Sequence, residues 1–415
     1  MINTGMTTRG RCLLAAGVAA AGCAVVLDER DMLRVAVFVF ALPLLATLVA
    51  RWARTRLRCT RSLRPHRVAA GSRTEVLLHL SSASRLPTSG VLVEDTVPYA
   101  AGAKPRFVID WLTSGTVELR YPLHPMLRGV HPIGPAVVRV SDPFGLAEFS
   151  RRLGEPAGLL VVPRTAKLHG MPVGHGSADS SGPRRARAGH GEQDAIVRQY
   201  RHGDDLRKVH WRSTAHRDEL MVRMEERPSG GGSTVLLDHR AAAHRGHGTG
   251  ASVEWAISFA ASVCLHLHAH GFPVRLVTED GAELAGQDGA ADQGQATLDA
   301  LAALRPTHRR ELAMPGGLAE ERAIIAVLGA CSRPALGELI ASTAGHTSGL
   351  AVLLDVGAWS PGDTGEIADV HEGAQLLTAA GWAVVIAGPG DGLADTWQRL
   401  CEAAKAATGH LEVQP

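Results

Sequence analysis

The chain has 415 residues, of which 20% are charged, with a formal net charge of +2. That length holds two or three domains, each able to bury a core. The even charge balance excludes a strongly basic nucleic-acid binder and a chain built for acidic partners. Aromatic residues make up only 4%, so the cores must be built mainly from Val, Leu, Ile and Ala. The cysteines are Cys12, Cys23, Cys59, Cys264, Cys331 and Cys401. None forms a C-x-x-C or has zinc-ligand spacing. All six read as small buried apolar residues in a reducing compartment.

Two apolar runs open the chain, Cys12 to Leu27 and Val35 to Ala50. Each is a little shorter than the roughly 20 residues of a usual span. The second lengthens if it starts at Met32 and Arg34 snorkels. Asp28, Glu29, Arg30 and Asp31 form a polar turn between them, so residues 1–56 read as a transmembrane helical hairpin. Pro43 is tolerable inside the second span and is expected to kink it. Arg9 and Arg11 precede the first span, and Arg51, Arg54, Arg56, Arg58, Arg61, Arg64 and Arg67 follow the second. This asymmetry puts both termini and the soluble parts in the cytoplasm of a multi-pass membrane protein. Trp52 fits an interfacial anchor. A cleaved signal peptide, or a lipoprotein signal ending at Cys23, is the competing reading, and the second span with its basic flank argues against it.

Residues 57–165 change pattern. Thr74–Leu80, Gly90–Val97, Phe107–Trp111, Thr116–Tyr121, Ala136–Val140 and Leu159–Val162 are short Val- and Leu-rich runs separated by turn residues. Such spacing predicts an antiparallel, sandwich-like β-domain. Gly129 and Val130 read as a turn into a strand, and Ser141–Leu146 as a tight turn. No catalytic cluster stands out here; His79, His124 and His131 read as surface or packing residues. Residues 166–188 are rich in Gly, Ser, Pro and Arg and read as an exposed, mobile linker.

Residues 189–232 are the most patterned stretch. Asp204 is a good N-cap, with Asp205 in the first turn of a short helix carrying Leu206 and Val209 on one face. Leu220–Glu225 alternates like a strand. Between Arg184 and Arg227, eleven Lys or Arg mix with eight Asp or Glu. Mixed signs suit a buried salt-bridge network or a polar recognition surface better than a nucleic-acid footprint. An enzyme would use His210 as general base, oriented by Asp204 or Asp205. No activated nucleophile accompanies it, since Ser213 and Thr214 lack a Gly-framed elbow.

The residues Gly189, Gly191, Glu192, Tyr200, Arg201, Gly203, Asp204, Asp205, Arg207, His210, Trp211, Arg212, Thr214, Ala215, Glu219, Leu220, Val222 and Arg223 together carry a resemblance. Their spacing resembles the signature of domain-of-unknown-function family 58. The resemblance implies a two-span hairpin, a β-rich segment ending near Asp142-Pro143-Phe144-Gly145-Leu146, and a domain similar to von Willebrand factor A after the signature. It also implies partnership with a MoxR-type AAA+ ATPase, and it implies no particular reaction.

Residues 233–415 alternate strands and helices. Strands are expected at Thr234–Leu237, Pro273–Val277, Ala323–Leu328, Leu350–Leu354 and Ala383–Ile386, with helices at Val253–His270, Ala296–Leu304, Ala335–Ser342, Ile367–Ala379 and Leu393–Ala406. This order predicts a parallel, doubly wound sheet whose ligands bind at the carboxyl ends of the strands. That rule singles out Asp238 and Asp355. A von Willebrand A metal site would need D-x-S-x-S, but the run here is Asp238-His239-Arg240-Ala241-Ala242. Both serines are missing, and Arg240 brings a positive charge to a loop that offers one oxygen ligand where Mg²⁺ needs several. Asp238, Arg240 and Asp355 therefore read as degenerate metal-site positions, with Arg240 pairing Asp238 or Asp355. His266, His268 and His270 read as polar helix residues, because only two of them share a face. Gly388–Gly392 lacks the Lys and Ser/Thr of a phosphate loop.

The chain is thus expected to be multi-domain: a two-helix transmembrane hairpin, a sandwich-like β-domain, and a C-terminal α/β von Willebrand A-like sheet. The function expected is that of a membrane-anchored, non-enzymatic adaptor or scaffold working with a MoxR-type ATPase, with no cofactor, no metal, no nucleic acid and no identified small-molecule substrate. The alternatives are an enzyme built on His210, Asp204 and Asp205, and a metal-dependent adhesion-type binder.

Overall fold

The computed structural model describes residues 5–55, 57–83, 88–112, 115–142, 144–172, 197–199, 221–223, 232–285, 293–309, 311–312, 323–343, 348–360 and 368–411. Its contacts divide the chain into two compact units, Met1–Thr165 with Leu298–Leu304, and Ala166–Thr297 with Arg305–Pro415.

The first unit opens with β1 (Gly5–Met6), followed by helices α1 (Thr8–Val26) and α2 (Arg30–Thr55). At 1.5 Å per residue α1 is about 28 Å long, close to the ~30 Å hydrocarbon core of a bilayer. Both helices are long and apolar enough to cross a membrane, and only 17% of each apolar window is buried. A soluble core helix would hide most of that surface. Here Phe38 is 67% and Leu48 66% exposed. The helices pack on each other through small residues, as membrane helices do. A Cβ on Gly17 would lie 2.8 Å from the Phe40 backbone nitrogen. The polar turn is tighter than expected: Arg30 and Asp31 already belong to α2, and Asp28 takes φ +52°. Arg34 pairs with Asp31 at 2.9 Å. Cys12 and Cys23 are exposed on α1, which corrects the expectation that all six cysteines are buried; the other four are.

Ten strands follow: β2 (Leu57–Arg64), β3 (Arg67–Ala69), β4 (Thr74–Ser82), β5 (Thr88–Asp95), β6 (Arg106–Leu112), β7 (Gly115–Leu123), β8 (Gly129–Ile133), β9 (Ala136–Ser141), β10 (Ala147–Leu153) and β11 (Ala157–Val162). They form sheets ordered β1-β10-β9-β5-β6, β2-β4-β7 and β3-β11-β8. Alternating residues of all three face one core that includes Leu78, Leu80, Val91, Val138, Ile133 and Leu159. The unit is sheet-rich, as expected, with two differences from the sequence reading. Gly129–Ile133 is itself a strand, and β3 pairs with β11 in parallel. Inside this unit Arg61 and Asp95 pair at 2.5 Å with side chains 2% and 0% exposed. Tyr121 donates to the same carboxylate at 2.5 Å. Arg61, counted above as flanking charge, is therefore part of the interior.

Within the second unit, β12 (Val197–Gln199) and β13 (Met221–Arg223) form an antiparallel pair, Val197 facing Arg223. The strand expected at 220–225 coincides with β13; the helix expected from Asp204 lies outside the described residues.

The second unit contains β14 (Ser233–Leu237), helix α3 (Ser252–Ala269), β15 (Val274–Thr278), β16 (Glu283–Ala285), β17 (Ala323–Leu328), α5 (Arg333–Thr343), β18 (Ser348–Leu354), α6 (Val370–Ala379), β19 (Ala383–Ala387) and α7 (Leu393–Leu411); α4 (Gln293–Ala303) precedes β17. The sheet order is β16-β15-β14-β17-β18-β19. Strands β14, β15, β17, β18 and β19 are mutually parallel, and β16 is antiparallel at the edge. The sheet is thus mixed where a parallel one was expected. β14 and β17 are buried along their whole length, as strands covered on both faces must be. The scarce aromatics concentrate between α3 and α7: Trp255 stacks on Phe259 at 5.2 Å, and Phe259 lies 6.5 Å from Trp397.

Residues 166–172, the described part of the expected linker, are held on this unit. Ala166 N–H donates to Ser262 Oγ at 3.0 Å. The Gly170 carbonyl accepts from Trp397 Nε1 at 3.2 Å and from His266 Nε2 at 2.9 Å, and Leu168 is buried. The composition suggested a free connector; two indole and imidazole donors and one buried leucine hold its start in place.

Candidate functional site

In an open α/β sheet the chain reverses direction of build at one point, and the crevice there is the ordinary ligand site. Here the reversal falls between β14 and β17, where the first runs on to β15 on one side and the chain returns to β17 on the other. Asp238 follows β14 at this point and is fully buried. Its carboxylate is completely engaged. Oδ1 accepts from the Arg240 backbone N–H at 3.0 Å and from Arg240 Nε at 2.9 Å; Oδ2 accepts from Arg240 Nη2 at 2.8 Å and from Gly329 N–H at 3.2 Å. Arg240 is itself 5% exposed and reaches on to the Ala330 carbonyl and to Cys331 Sγ, each at 3.3 Å. The two-pronged geometry is the strong form of an arginine–carboxylate pair. Burial alone would lower the arginine's pKa, but the hydrogen bonds and charge of Asp238 hold it above its ordinary value. Cys331 is pushed up to about 12 by burial and then by the Asp238 charge, so its sulfur stays a neutral thiol.

The loop after Asp238 is clamped from several sides. Ala241 N–H donates to the Thr307 carbonyl, and Thr307 N–H to the His239 carbonyl. His239 places both its backbone N–H, at 3.0 Å, and its Nδ1, at 2.6 Å, on Glu279 Oε2. Glu279 follows β15 and is fully buried, and its Oε1 has no hydrogen-bond partner among the described residues. His244 is held neutral, first by burial. Its Nε2 donates to the Asp238 carbonyl at 2.9 Å, leaving Nδ1 to accept from Ser252 Oγ at 3.0 Å. A Cβ on Gly329 would lie 2.2 Å from the Ala243 carbonyl oxygen. The reversal-point crevice is therefore filled by protein.

The open space lies one strand further on. A cavity of about 200 Å³ sits at the ends of β17 and β18, lined by Cys331, Leu353, Asp355, Gly357, Asp369 and His371 among others. Asp355 follows β18 and is half-buried; its Oδ1 accepts from Ala358 N–H at 3.3 Å. Asp369 caps α6 by accepting from His371 N–H at 2.9 Å. Strand β17 separates Asp238 from Asp355, and Arg240 pairs with the former.

Other residues flagged in the sequence have local roles. His266 is taken up by Gly170, and His270 Nδ1 lies 2.8 Å from the His266 carbonyl. The Gly388–Gly392 loop is tied by Asp391, whose carboxylate accepts from Gly388 N–H at 2.8 Å and meets Arg399 at 3.1 Å. Gly191, Glu192, Tyr200, Arg201, Gly203, Asp204, Asp205, Arg207, His210, Trp211, Arg212, Thr214 and Glu219 lie outside the described residues, and Arg223 ends β13. Sequence reasoning missed Glu279, although the strand-end rule that found Asp238 and Asp355 applies equally to the residue after β15. His239, His244, Cys331 and Asp369 carried no comparable signal.

The structure thus defines a sheet-rich chain with two apolar N-terminal helices and a doubly wound α/β unit. A family model described as "Protein of unknown function DUF58" matches residues 196–329, which takes in most of the signature and the reversal-point loop. The chain is 26% identical over 205 residues to the uncharacterized protein YeaD of Bacillus subtilis (strain 168), covering 48% of this chain and 51% of that protein. It therefore spans about half the length of this curated relative. Among solved structures, the CARDB domain of the PF1109 protein from Pyrococcus furiosus is 13% identical, with a TM-score of 0.18 over 24% of this chain and 93% of that one. The alkylpurine DNA glycosylase AlkC of Pseudomonas fluorescens is 16% identical, with a TM-score of 0.16 over 34% of this chain and 46% of that one. Scores of this size define no common fold.

Proposed function

We propose that this chain is a membrane-anchored, non-enzymatic adaptor whose α/β unit is von Willebrand A-like and recognises a partner protein. The observation that carries the reading is the filled crevice. Where a catalytic or cation-binding sheet would hold its reactive groups, Asp238 is neutralised by Arg240 and sealed under Gly329 and Ala243. The open cavity beside it, with Asp355 and Asp369, keeps room for a side chain of a partner. The strand order and the antiparallel β16 support the A-like assignment. The charges at Arg9, Arg11 and Arg51 support a cytoplasmic position for both soluble units. A MoxR-type AAA+ ATPase is the partner that the signature resemblance favours.

The test is co-purification of the full chain from native membranes, alongside Asp205→Ala and Trp211→Ala variants. Wild type should retain an AAA+ ATPase and the variants should lose it. Recovery of none, where a control adaptor keeps its own ATPase, overturns the proposal.

A further inference from the structure

We infer that Phe144, in the turn between β9 and β10, makes a second membrane contact, seated in the headgroup layer beside the foot of the hairpin. The inference rests on the reading of α1 and α2 as membrane-crossing helices. Single exposed apolar side chains are ordinary on protein surfaces; this one is set apart by how it is held. The turn is rigid. Asp142 is buried, and its carboxylate accepts from Phe144 N–H at 2.9 Å and from Ala147 N–H at 2.5 Å. Gly145 N–H closes back on the Asp142 carbonyl, with Gly145 at φ +68°. The next residue, Leu146, is buried in a cluster with Ala46 and Ala50 of α2. Phe144 stays 64% exposed.

The height of the turn is fixed by the start of α1. Thr7 donates its N–H to the Leu146 carbonyl at 2.9 Å and its hydroxyl to the Gly145 carbonyl at 2.7 Å. The apolar run of α1 begins at Cys12, within a turn and a half of Thr7. Phe144 therefore lies where that helix passes from water to lipid. Arg9, Arg11 and Arg51 are exposed around the same level. A ring at the interface with arginines beside it matches an anionic lipid surface, the ring entering the headgroup layer and the guanidinium groups meeting phosphate. A single anchoring turn of this kind would fix the tilt of the β-domain against the bilayer.

The experiment uses the full chain in nanodiscs of phosphatidylcholine and phosphatidylglycerol, in a Cys12→Ala, Cys23→Ala background. Nitroxide labels are placed singly through Phe144→Cys, Leu48→Cys and Tyr99→Cys. Tyr99 is fully exposed and follows β5 at the end of the sheet opposite the turn, because Val91 faces Val140 while Asp95 faces Ala136. Oxygen and nickel-chelate accessibilities are then compared. The expected result is a shift of the oxygen-to-nickel ratio at 144 away from the Tyr99 value towards the Leu48 value. A label at 144 as wet as that at 99, with a lipid-like label at 48, overturns the inference and leaves the spanning hairpin standing. A wet label at 48 overturns the hairpin reading and the inference with it.

Discussion

The guanidinium of Arg240 grips the carboxylate of Asp238 with two prongs, and both side chains are buried. Breaking one side of such a pair leaves a charge buried without compensation, at a cost of about 3–5 kcal/mol. We expect Arg240→Met to lose stability on that scale in urea unfolding followed by circular dichroism of the α/β region. Arg240→Lys should recover only part of it, since a point charge cannot reproduce the fork. Equal stability of all three proteins would show that the pair contributes nothing to the fold.

Tyr121 makes a second test, in the β-domain. Its hydroxyl is held protonated well above its ordinary value, first by burial and then by the hydrogen bond to Asp95. A raised folded pKa gives stability that is complete below the unfolded value of about 10 and is lost as pH rises towards the folded value. Stability should therefore fall on the alkaline side. Tyr121→Phe should cost about 1.5–3 kcal/mol at neutral pH and flatten the alkaline decline. A wild-type curve no steeper than the variant's above pH ~10 would remove Tyr121 from the account.

His244 works in the opposite pH range. Its imidazole is held below the ordinary value of 6.5, with burial as the main cause. The stability it contributes is complete above 6.5 and is lost as pH falls through the folded value, because the unfolded chain takes up the proton first. His244→Gln keeps a donor and an acceptor without titrating. We expect its unfolding free energy to vary less than wild type's between neutral and mildly acidic pH. Parallel curves would count against the assignment.

The segment 166–172 can be loosened at Trp397, with an added cost for the space that a smaller ring leaves in the core. Trp397→Phe keeps a ring in the core but removes the donor to the Gly170 carbonyl, a loss of about 0.5–1.5 kcal/mol. Amide hydrogen exchange at residues 166–172 should accelerate, while exchange in β14 and β17 stays slow. Unchanged protection of the segment would mean that His266 and Leu168 suffice.

At the hairpin's foot, a Cβ on Gly10 would sit 2.2 Å from the Leu146 carbonyl oxygen. That neighbour is backbone and cannot swing aside. Gly10→Ala should displace the start of α1 at a cost of about 1–3 kcal/mol. Faster hydrogen exchange in β10 would report it, and protection equal to wild type would mean that the backbone accommodates the methyl.

How much of this was legible in the sequence depends on the kind of signal. β14 and β17 are runs of Val, Leu and Ile bounded by turn residues, and their pattern locates them within a residue or two. β10, Ala147–Leu153, escaped notice because Arg151 falls on the same face as Ala147, Phe149 and Leu153 and breaks the apolar alternation. β16 has only three residues, too few for a period to register. The Arg61–Asp95–Tyr121 group joins residues 34 and 26 positions apart on three strands, and no local rule connects them. Asp238 was found because strand ends in doubly wound sheets are predictable, and the partnership with Arg240 followed from charge two residues away. The cavity beside Asp355 was out of reach, since its walls come from β17, β18 and α6 and depend on how those elements pack.

The pairing of β1 with β10 has a consequence in time. Met6 faces Ala147, so β1 must wait for a partner made about 140 residues later. At roughly 5–20 residues per second, that is a delay of about 7–30 s. By then both apolar helices have left the ribosome. The edge of the large sheet is therefore closed by a segment already parked at the hairpin's foot, once β10 has been made.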